Sequence, residues 1–319
     1  METILNLLPL TEDERGAFLD AAPGAEHLFY PVENTRLSAR GVPAEAYERA
    51  TIILGCPPGG ALAGAGNLKW LHAWSAGVDG YLRPGVLPEG TVLTSSVGAY
   101  GQAVSEHMLA MLLALLKRLP QYRDVQNRRG FDDLGEIRSL AGAEVLVLGA
   151  GDIGSAFAVL CKALGAGRVD GIRRDPSRTA AGVDEMHGMD ALDGLLPRAD
   201  VVAMALPRSA GTDGLMDRRR LLLMKKDAIL LNAGRGTAVD CAALAEVLGG
   251  GHLWAAGLDV TDPEPLPPDH PLWAVPNAFI TPHVAGGSNL AATRRAMAVI
   301  ALDNLKRYLA GEPLRNRFR

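Results

Sequence analysis

Short apolar runs alternate with stretches of helical spacing along almost the whole chain, the pattern of parallel α/β architecture. The first third predicts strands near Ile4–Leu8, His27–Tyr30, Thr51–Gly55, Trp70–Trp74 and Thr91–Thr94. A long helical segment follows, from about Gln102 to Asn127, with a break expected at Pro120. Its apolar start and Arg-rich end suit an element that crosses between domains or meets a partner subunit. A second strand series starts at Glu144–Gly149 and continues through Val169–Ile172, Asp200–Leu206, Ala228–Asn232, Leu253–Val260 and Ala278–Thr281. With helices between them (Ile153–Leu164 and Cys241–Leu248 are the clearest), these six strands read as a complete dinucleotide-binding sheet. The last segment, Ser288–Ala310, has helical spacing and stops before Gly311 and Pro313.

Length agrees with two such series. At 319 residues the chain exceeds the roughly 250–300 at which single cores stop growing, so two domains are expected. A formal net charge of −4 argues against general nucleic-acid binding, which needs a clustered basic surface. The runs Arg173-Arg174 and Arg218-Arg219-Arg220 are short and read first as solvated faces. Cys56, Cys161 and Cys241 are far apart and outside any Cys-x-x-Cys, which suits a reducing compartment. The N-terminal apolar run is too short for a signal peptide. Met108–Leu116, the longest apolar helix candidate, is far below the ~20 residues of a membrane span. A soluble cytoplasmic protein, with no nucleic acid or membrane as partner, is expected.

Gly149-Ala-Gly151-Asp152-Ile153-Gly154 follows an apolar strand and opens a helix. In that context the first glycine serves the tight turn, the second the approach of backbone to pyrophosphate, and the third close helix–strand packing. The helix N-terminus offers N–H groups to the phosphates. Coenzyme choice is written at the end of the next strand, about 20 residues on, where an acid binds the ribose 2′-OH and Arg accommodates a 2′-phosphate. Arg173 lies 19 residues past Gly154, with Arg174 beside it. NADP(H) is therefore favoured over NAD(H). The alternative is that both arginines are merely solvated and Asp175 or Asp170 does NAD-type work.

Three polar residues punctuate later strands: Arg235 in Asn-Ala-Gly-Arg-Gly (232–236), Glu264 in Asp-Val-Thr-Asp-Pro-Glu-Pro-Leu (259–266), and His283 in Ile-Thr-Pro-His (280–283). A 2-oxo acid presents a carboxylate beside a carbonyl that must accept hydride and a proton together. A guanidinium fork can hold that carboxylate bidentately and polarise the carbonyl. An imidazolium can donate the proton. A carboxylate on the second ring nitrogen orients the imidazole and favours its charged form. Singly, each residue reads as a loop arginine, a surface carboxylate or a strand-end cap; together behind a Gly-rich turn they read as one site.

With these four motifs in this order, the chain resembles the D-isomer-specific 2-hydroxyacid dehydrogenase family, the group of glyoxylate/hydroxypyruvate reductases and phosphoglycerate dehydrogenases. The resemblance runs over nearly the whole length. It implies two Rossmann/flavodoxin-like α/β domains with parallel sheets, the cofactor domain (100–284) inserted into a discontinuous substrate domain (1–99 and 285–319). It implies a cleft between them and a homodimer made through the cofactor domain. Arg235, Glu264 and His283 are then the catalytic residues. Backbone N–H groups of Ala76, Gly77 and Val78, in Trp74-Ser-Ala-Gly-Val-Asp79, hold the substrate carboxylate with Arg235. Leu206, Pro207 and Ala233 border the cofactor, and Asp259 contacts its nicotinamide side. Ser105-Glu106-His107 also matches the family, with capping and packing as its main expected role and His107 a minor candidate for lining the cleft.

The chain departs from the pattern at Arg173, where NAD-using relatives carry an acid, and at Trp254, where the family more often has a small residue. It stops at Arg319, short of the regulatory domain of many phosphoglycerate dehydrogenases, and Glu264 in place of Gln argues against the formate-dehydrogenase branch. The function so read is NAD(P)H-dependent reduction of a small 2-oxo acid, such as glyoxylate or hydroxypyruvate, to the D-2-hydroxy acid. The alternative is a nucleotide-sensing, corepressor-like binding protein. The absence of Gly-x-Ser-x-Gly disfavours a serine hydrolase, and no clustered His/Cys spacing suggests a metal.

Overall fold

The computed structural model describes residues 1–30, 41–287 and 290–319. The chain divides into two compact units, Met1–Tyr100 with Gly287–Arg319, and Gly101–Gly286.

The first unit is built on five parallel strands: β1 (Thr3–Asn6), β2 (Glu26–Phe29), β3 (Ile52–Leu54), β4 (Trp70–Ala73) and β5 (Val92–Ser95), in the order β2-β1-β3-β4-β5. This is the order of flavodoxin-like doubly wound sheets. The central strands are apolar on both faces because helices cover both, so β1, β3 and β4 are buried throughout. Helix α1 (Glu12–Ala21) begins with a reciprocal capping box between Thr11 and Glu14. Helix α2 (Ala44–Arg49) leads into β3. The C-terminal helix, Ala291–Ala310, belongs to this unit, and Gly311 ends it in the left-handed conformation. Ser288, the expected start of that segment, lies outside the described residues. Tyr308 stacks on Trp70 with ring centroids 5.1 Å apart. The tail beyond bonds to the edge of the sheet, Phe318 N–H to the Leu93 carbonyl and Leu93 N–H to that of Arg319.

The second unit carries seven parallel strands: β6 (Glu144–Leu148), β7 (Arg168–Ile172), β8 (Glu185–His187), β9 (Val201–Met204), β10 (Ile229–Asn232), β11 (Ala255–Leu258) and β12 (Ala278–Ile280). Their order, β12-β11-β10-β9-β6-β7-β8, is that of dinucleotide-binding sheets with one strand added beyond β11. The six-strand expectation missed β8. It is a short edge strand, Glu-Met-His, whose polar face hides it from an apolar-run search. Arg168 holds it by bridging Asp170 and Glu185.

The long helical segment is two helices, α3 (Gly101–Leu116) and α4 (Leu119–Asn127). The break precedes Pro120, at Arg118, whose φ is 55°. Proline is accommodated in the first turn of α4, where its missing N–H has no partner to lose. Helix α3 lies against β11 at Gly257, where an added Cβ would meet Leu231, Met111 and Leu115 at 2.9–3.2 Å. Trp254, just before β11, donates its indole N–H to the Leu115 carbonyl and carries the Arg138 guanidinium 4.1 Å from its ring centroid. The large side chain thus closes the end of α3. No helix among the described residues is long and apolar enough to cross a membrane.

One buried polar cluster in the first unit has a consequence for stability. His72 on β4 is fully buried, with its ring nitrogens 2.8 Å from Thr94 Oγ1 and 3.1 Å from Ser96 Oγ. Burial pushes its pKa down from 6.5 to about 3. The folded state therefore binds fewer protons than the unfolded state between these values, and stability falls as pH drops below 6.5. From about pH 7 to about pH 5, wild type should lose about 2 kcal/mol more than a His72→Gln variant in urea unfolding. Equal losses in the two proteins would contradict this.

Candidate active site and cofactor cradle

In a parallel sheet every strand ends at the same edge, and ligands bind outside the carboxyl ends. Arg235 follows β10, Glu264 follows β11 and His283 follows β12, three neighbouring strands. The Arg235 loop is shaped by Asn232, which is 2% exposed. Its side-chain oxygen accepts the Gly234 N–H at 3.0 Å and its amide donates to the Arg235 carbonyl at 2.9 Å. Tight packing on both sides then requires glycine. A Cβ on Gly234 would sit 2.7 Å from the Leu206 backbone, and one on Gly236 would sit 1.8 Å from the Thr261 carbonyl oxygen. Arg235 is held between these contacts, half-buried, with Nη1 donating to the Gly234 carbonyl at 2.8 Å. The sequence carries a signal for this role of Asn232, since an Asn two residues before Gly at a strand end marks an Asx turn.

Glu264 and His283 are in direct contact, Oε1 to Nδ1 at 2.7 Å. Both side chains remain accessible, 44% and 48% exposed. The carboxylate orients the ring and makes Nδ1 the donor toward it. Nε2 is then the nitrogen that can exchange a proton with an external partner. His283 itself has a φ of 53°, in the left-handed region that residues other than glycine seldom occupy.

That conformation is maintained by Asp259. Its N–H bonds to the Asn232 carbonyl at 2.9 Å, and its carbonyl accepts the His283 N–H at 2.7 Å. Its carboxylate accepts from Val284 N–H at 2.8 Å, Ala285 N–H at 3.0 Å and the Thr281 hydroxyl at 2.7 Å. The side chain is 2% exposed. The donors around its carboxylate make Asp259 the anchor of the His283 loop. His107 of α3 joins the same group through Thr281, Nε2 to Oγ1 at 3.0 Å. The sequence assigns this segment mainly to capping and packing, with His107 a minor candidate for lining a cleft.

The glycines of the 149–154 turn separate by job. A Cβ on Gly149, whose φ is 95°, would lie 2.8 Å from the Ala205 carbonyl oxygen of the neighbouring strand's loop. A Cβ on Gly154 would lie 2.3 Å from the Gly149 carbonyl oxygen, so helix α5 (Asp152–Ala163) sits directly on the turn. Gly151 has open space where its Cβ would be. A turn crowded at its ends and open in the middle, leading into the first-turn N–H groups of Asp152, Ile153 and Gly154, fits a pyrophosphate. It lies at the end of β6, beside β9, where the strand order reverses. Leu206 and Pro207 follow β9, and Ala233 N–H bonds across to the Met204 carbonyl at 3.0 Å.

At the end of β7 the acidic and basic side chains are engaged differently. Asp170 is buried in mid-strand, and both its carboxylate oxygens accept from Arg168 Nε at 2.9 Å. It is therefore engaged inside the sheet. Asp175 accepts from both the N–H and the hydroxyl of Ser177, which, with Arg178 and Arg173 nearby, hold its pKa low. Arg173 Nη1 reaches the Arg178 carbonyl at 3.2 Å, closing this loop, and Arg174 is exposed beside it.

In the first unit, Ala76, Gly77 and Val78 follow β4. The Ser75 hydroxyl donates to the Gly77 carbonyl at 2.6 Å, curling the loop. Among the described residues, no backbone carbonyl takes up the N–H groups of these three.

Comparison with known proteins identifies the surroundings of this geometry. Residues 109–285 match the family described as D-isomer specific 2-hydroxyacid dehydrogenase, NAD binding domain. The glyoxylate reductase of Thermofilum pendens is 33% identical over 256 residues, 78% of this chain and 74% of that protein. The D-isomer specific 2-hydroxyacid dehydrogenase family protein of Aeromonas salmonicida, a solved structure, is similar with a TM-score of 0.82 and 32% identity, covering 100% of this chain and 99% of that one. The D-isomer specific 2-hydroxyacid dehydrogenase of Xanthobacter autotrophicus, solved in complex with NADPH and MES, gives a TM-score of 0.79 at 30% identity, covering 100% and 98%. With the profile match spanning more than half of its length, the chain belongs to the D-isomer specific 2-hydroxyacid dehydrogenase family.

Proposed function

We propose that this chain reduces a small 2-oxo acid to its D-2-hydroxy acid with NADPH, glyoxylate and hydroxypyruvate being the first substrates to try. The observation that carries the reading is the Glu264–His283 pair, hydrogen-bonded at 2.7 Å on the sheet edge that also presents Arg235. When bound, the nicotinamide supplies the hydride. Arg235 holds the substrate carboxylate and polarises the adjacent carbonyl. His283 gives its Nε2 proton to the carbonyl oxygen, and Glu264 stabilises the imidazolium that carries it. The charge that develops on oxygen is met by fixed groups, which is where catalysis gains most.

The preference for NADP(H) rests on Arg173 and Arg174 at the end of β7, with Asp170 engaged by Arg168 and Asp175 by Ser177. The Xanthobacter relative's complex with NADPH and the name of the Thermofilum relative, glyoxylate reductase, support coenzyme and substrate class respectively. The family resemblance further supports a homodimer, and the three scattered cysteines support a reducing, cytoplasmic setting.

A rate panel with NADPH and NADH against glyoxylate, hydroxypyruvate, pyruvate and phenylpyruvate, ranked by kcat/KM, tests the proposal. Turnover of at least one acid, faster with NADPH, is expected. Tight dinucleotide binding without any turnover would instead favour the nucleotide-sensing protein. Arg173→Asp should lower the NADPH/NADH ratio of kcat/KM by at least about tenfold, and an unchanged ratio would remove Arg173 from coenzyme choice. Arg235→Lys keeps the charge and loses the fork; kcat/KM for the acid should fall by roughly a hundredfold while dinucleotide affinity holds. Wild-type rates in this variant would contradict the assigned role.

A further inference from the structure

His107 lies in the second turn of α3, and Thr281 directly follows β12, 174 positions away in sequence. Protons can be counted along the line that joins them. The Asp259 carboxylate can only accept, so the Thr281 hydroxyl, 2.7 Å away, donates its single proton there. Thr281 Oγ1 must then accept from His107, which assigns a proton to His107 Nε2 at 3.0 Å. His107 Nε2 is 3.7 Å from Asp259 Oδ1, too far for a direct hydrogen bond, so the hydroxyl is the link. The far end of the line is the segment Val284–Ala285, whose N–H groups are fixed by the two oxygens of the same carboxylate.

We propose that His107 and Thr281 are positioning residues for His283. This rests on the reading of His283 as proton donor. The donor series from His107 through Thr281 sets the rotation of the Asp259 carboxylate. The carboxylate in turn fixes the two N–H groups after His283 and so supports the left-handed backbone at His283. Helix α3 thereby holds the proton donor from a distance, without touching the reacting atoms. Removing the hydroxyl frees the carboxylate to turn, and the loop that carries the imidazole loosens with it. Small misplacements of a reacting group are expensive in rate.

Thr281→Val removes the hydroxyl at nearly constant volume, and Thr281→Ser retains it. The full-length protein is examined in two ways, by kcat with saturating NADPH and by hydrogen exchange of the Val284 and Ala285 amides. In Thr281→Val, kcat should fall by roughly tenfold to a hundredfold and both amides should exchange faster, with dinucleotide affinity unchanged. Thr281→Ser should restore both. His107→Leu should follow Thr281→Val, and His107→Gln, which keeps a donor, should recover most of the loss. Unchanged kcat and exchange in Thr281→Val, or failure of Thr281→Ser to restore them, would overturn the proposal. If wild type reduces no 2-oxo acid, the functional reading fails, and the exchange rates alone still decide whether the hydroxyl holds the loop.

Discussion

A carboxylate taken out of water must recover in hydrogen bonds what it loses in hydration. Asp259 meets that requirement with donors drawn from one short segment, Thr281, Val284 and Ala285, while its own backbone bonds to Asn232 and His283. The desolvation of this one group therefore dictates the path of the chain after β12. It also ties together the ends of β10, β11 and β12. The accessible imidazole of His283 is carried on backbone that the buried Asp259 anchors through His283, Val284 and Ala285 N–H. A flexible exposed pair would gain little from its own attraction.

The sheet supplies the second constraint. Parallel pairing brings every carboxyl end to one edge, so residues scattered over the second half of the chain meet there without a dedicated connection. The glycines make the meeting possible at close range. Gly149 and Gly154 let the phosphate turn fold on itself, and Gly234 and Gly236 let the Arg235 loop pass between its neighbours. Each is a place where a methyl group would collide with backbone, which cannot yield as a side chain can.

Much of this was legible in the linear chain. The central strands are apolar on both sides and stand out as runs, and Arg235, Glu264 and His283 stand out as the polar residues that end them. The strand missed, β8, is a polar edge strand held by Arg168 and Glu185. Sequence alone keeps Asp170 open as a ribose ligand, although Arg168 stands two positions before it and so on the same strand face. Asp259 was recognised by its place after β11, yet its actual partners lie over 20 residues later and depend on backbone N–H groups, which every residue has. The contact of His107 with Thr281 joins helix α3 to β12 and has no periodic signature at all. Pattern reading finds what recurs along the chain; what is assembled across it appears only with coordinates.

Glu264 and His283 are proposed to act as one unit in proton donation. The most direct measurement is a double-mutant cycle on kcat/KM for 2-oxo acid reduction, using Glu264→Gln, His283→Ala and the two combined. If Glu264 works through His283, the combined variant should be no slower than His283→Ala alone. Losses that multiply would show that the two residues act independently and would contradict the account.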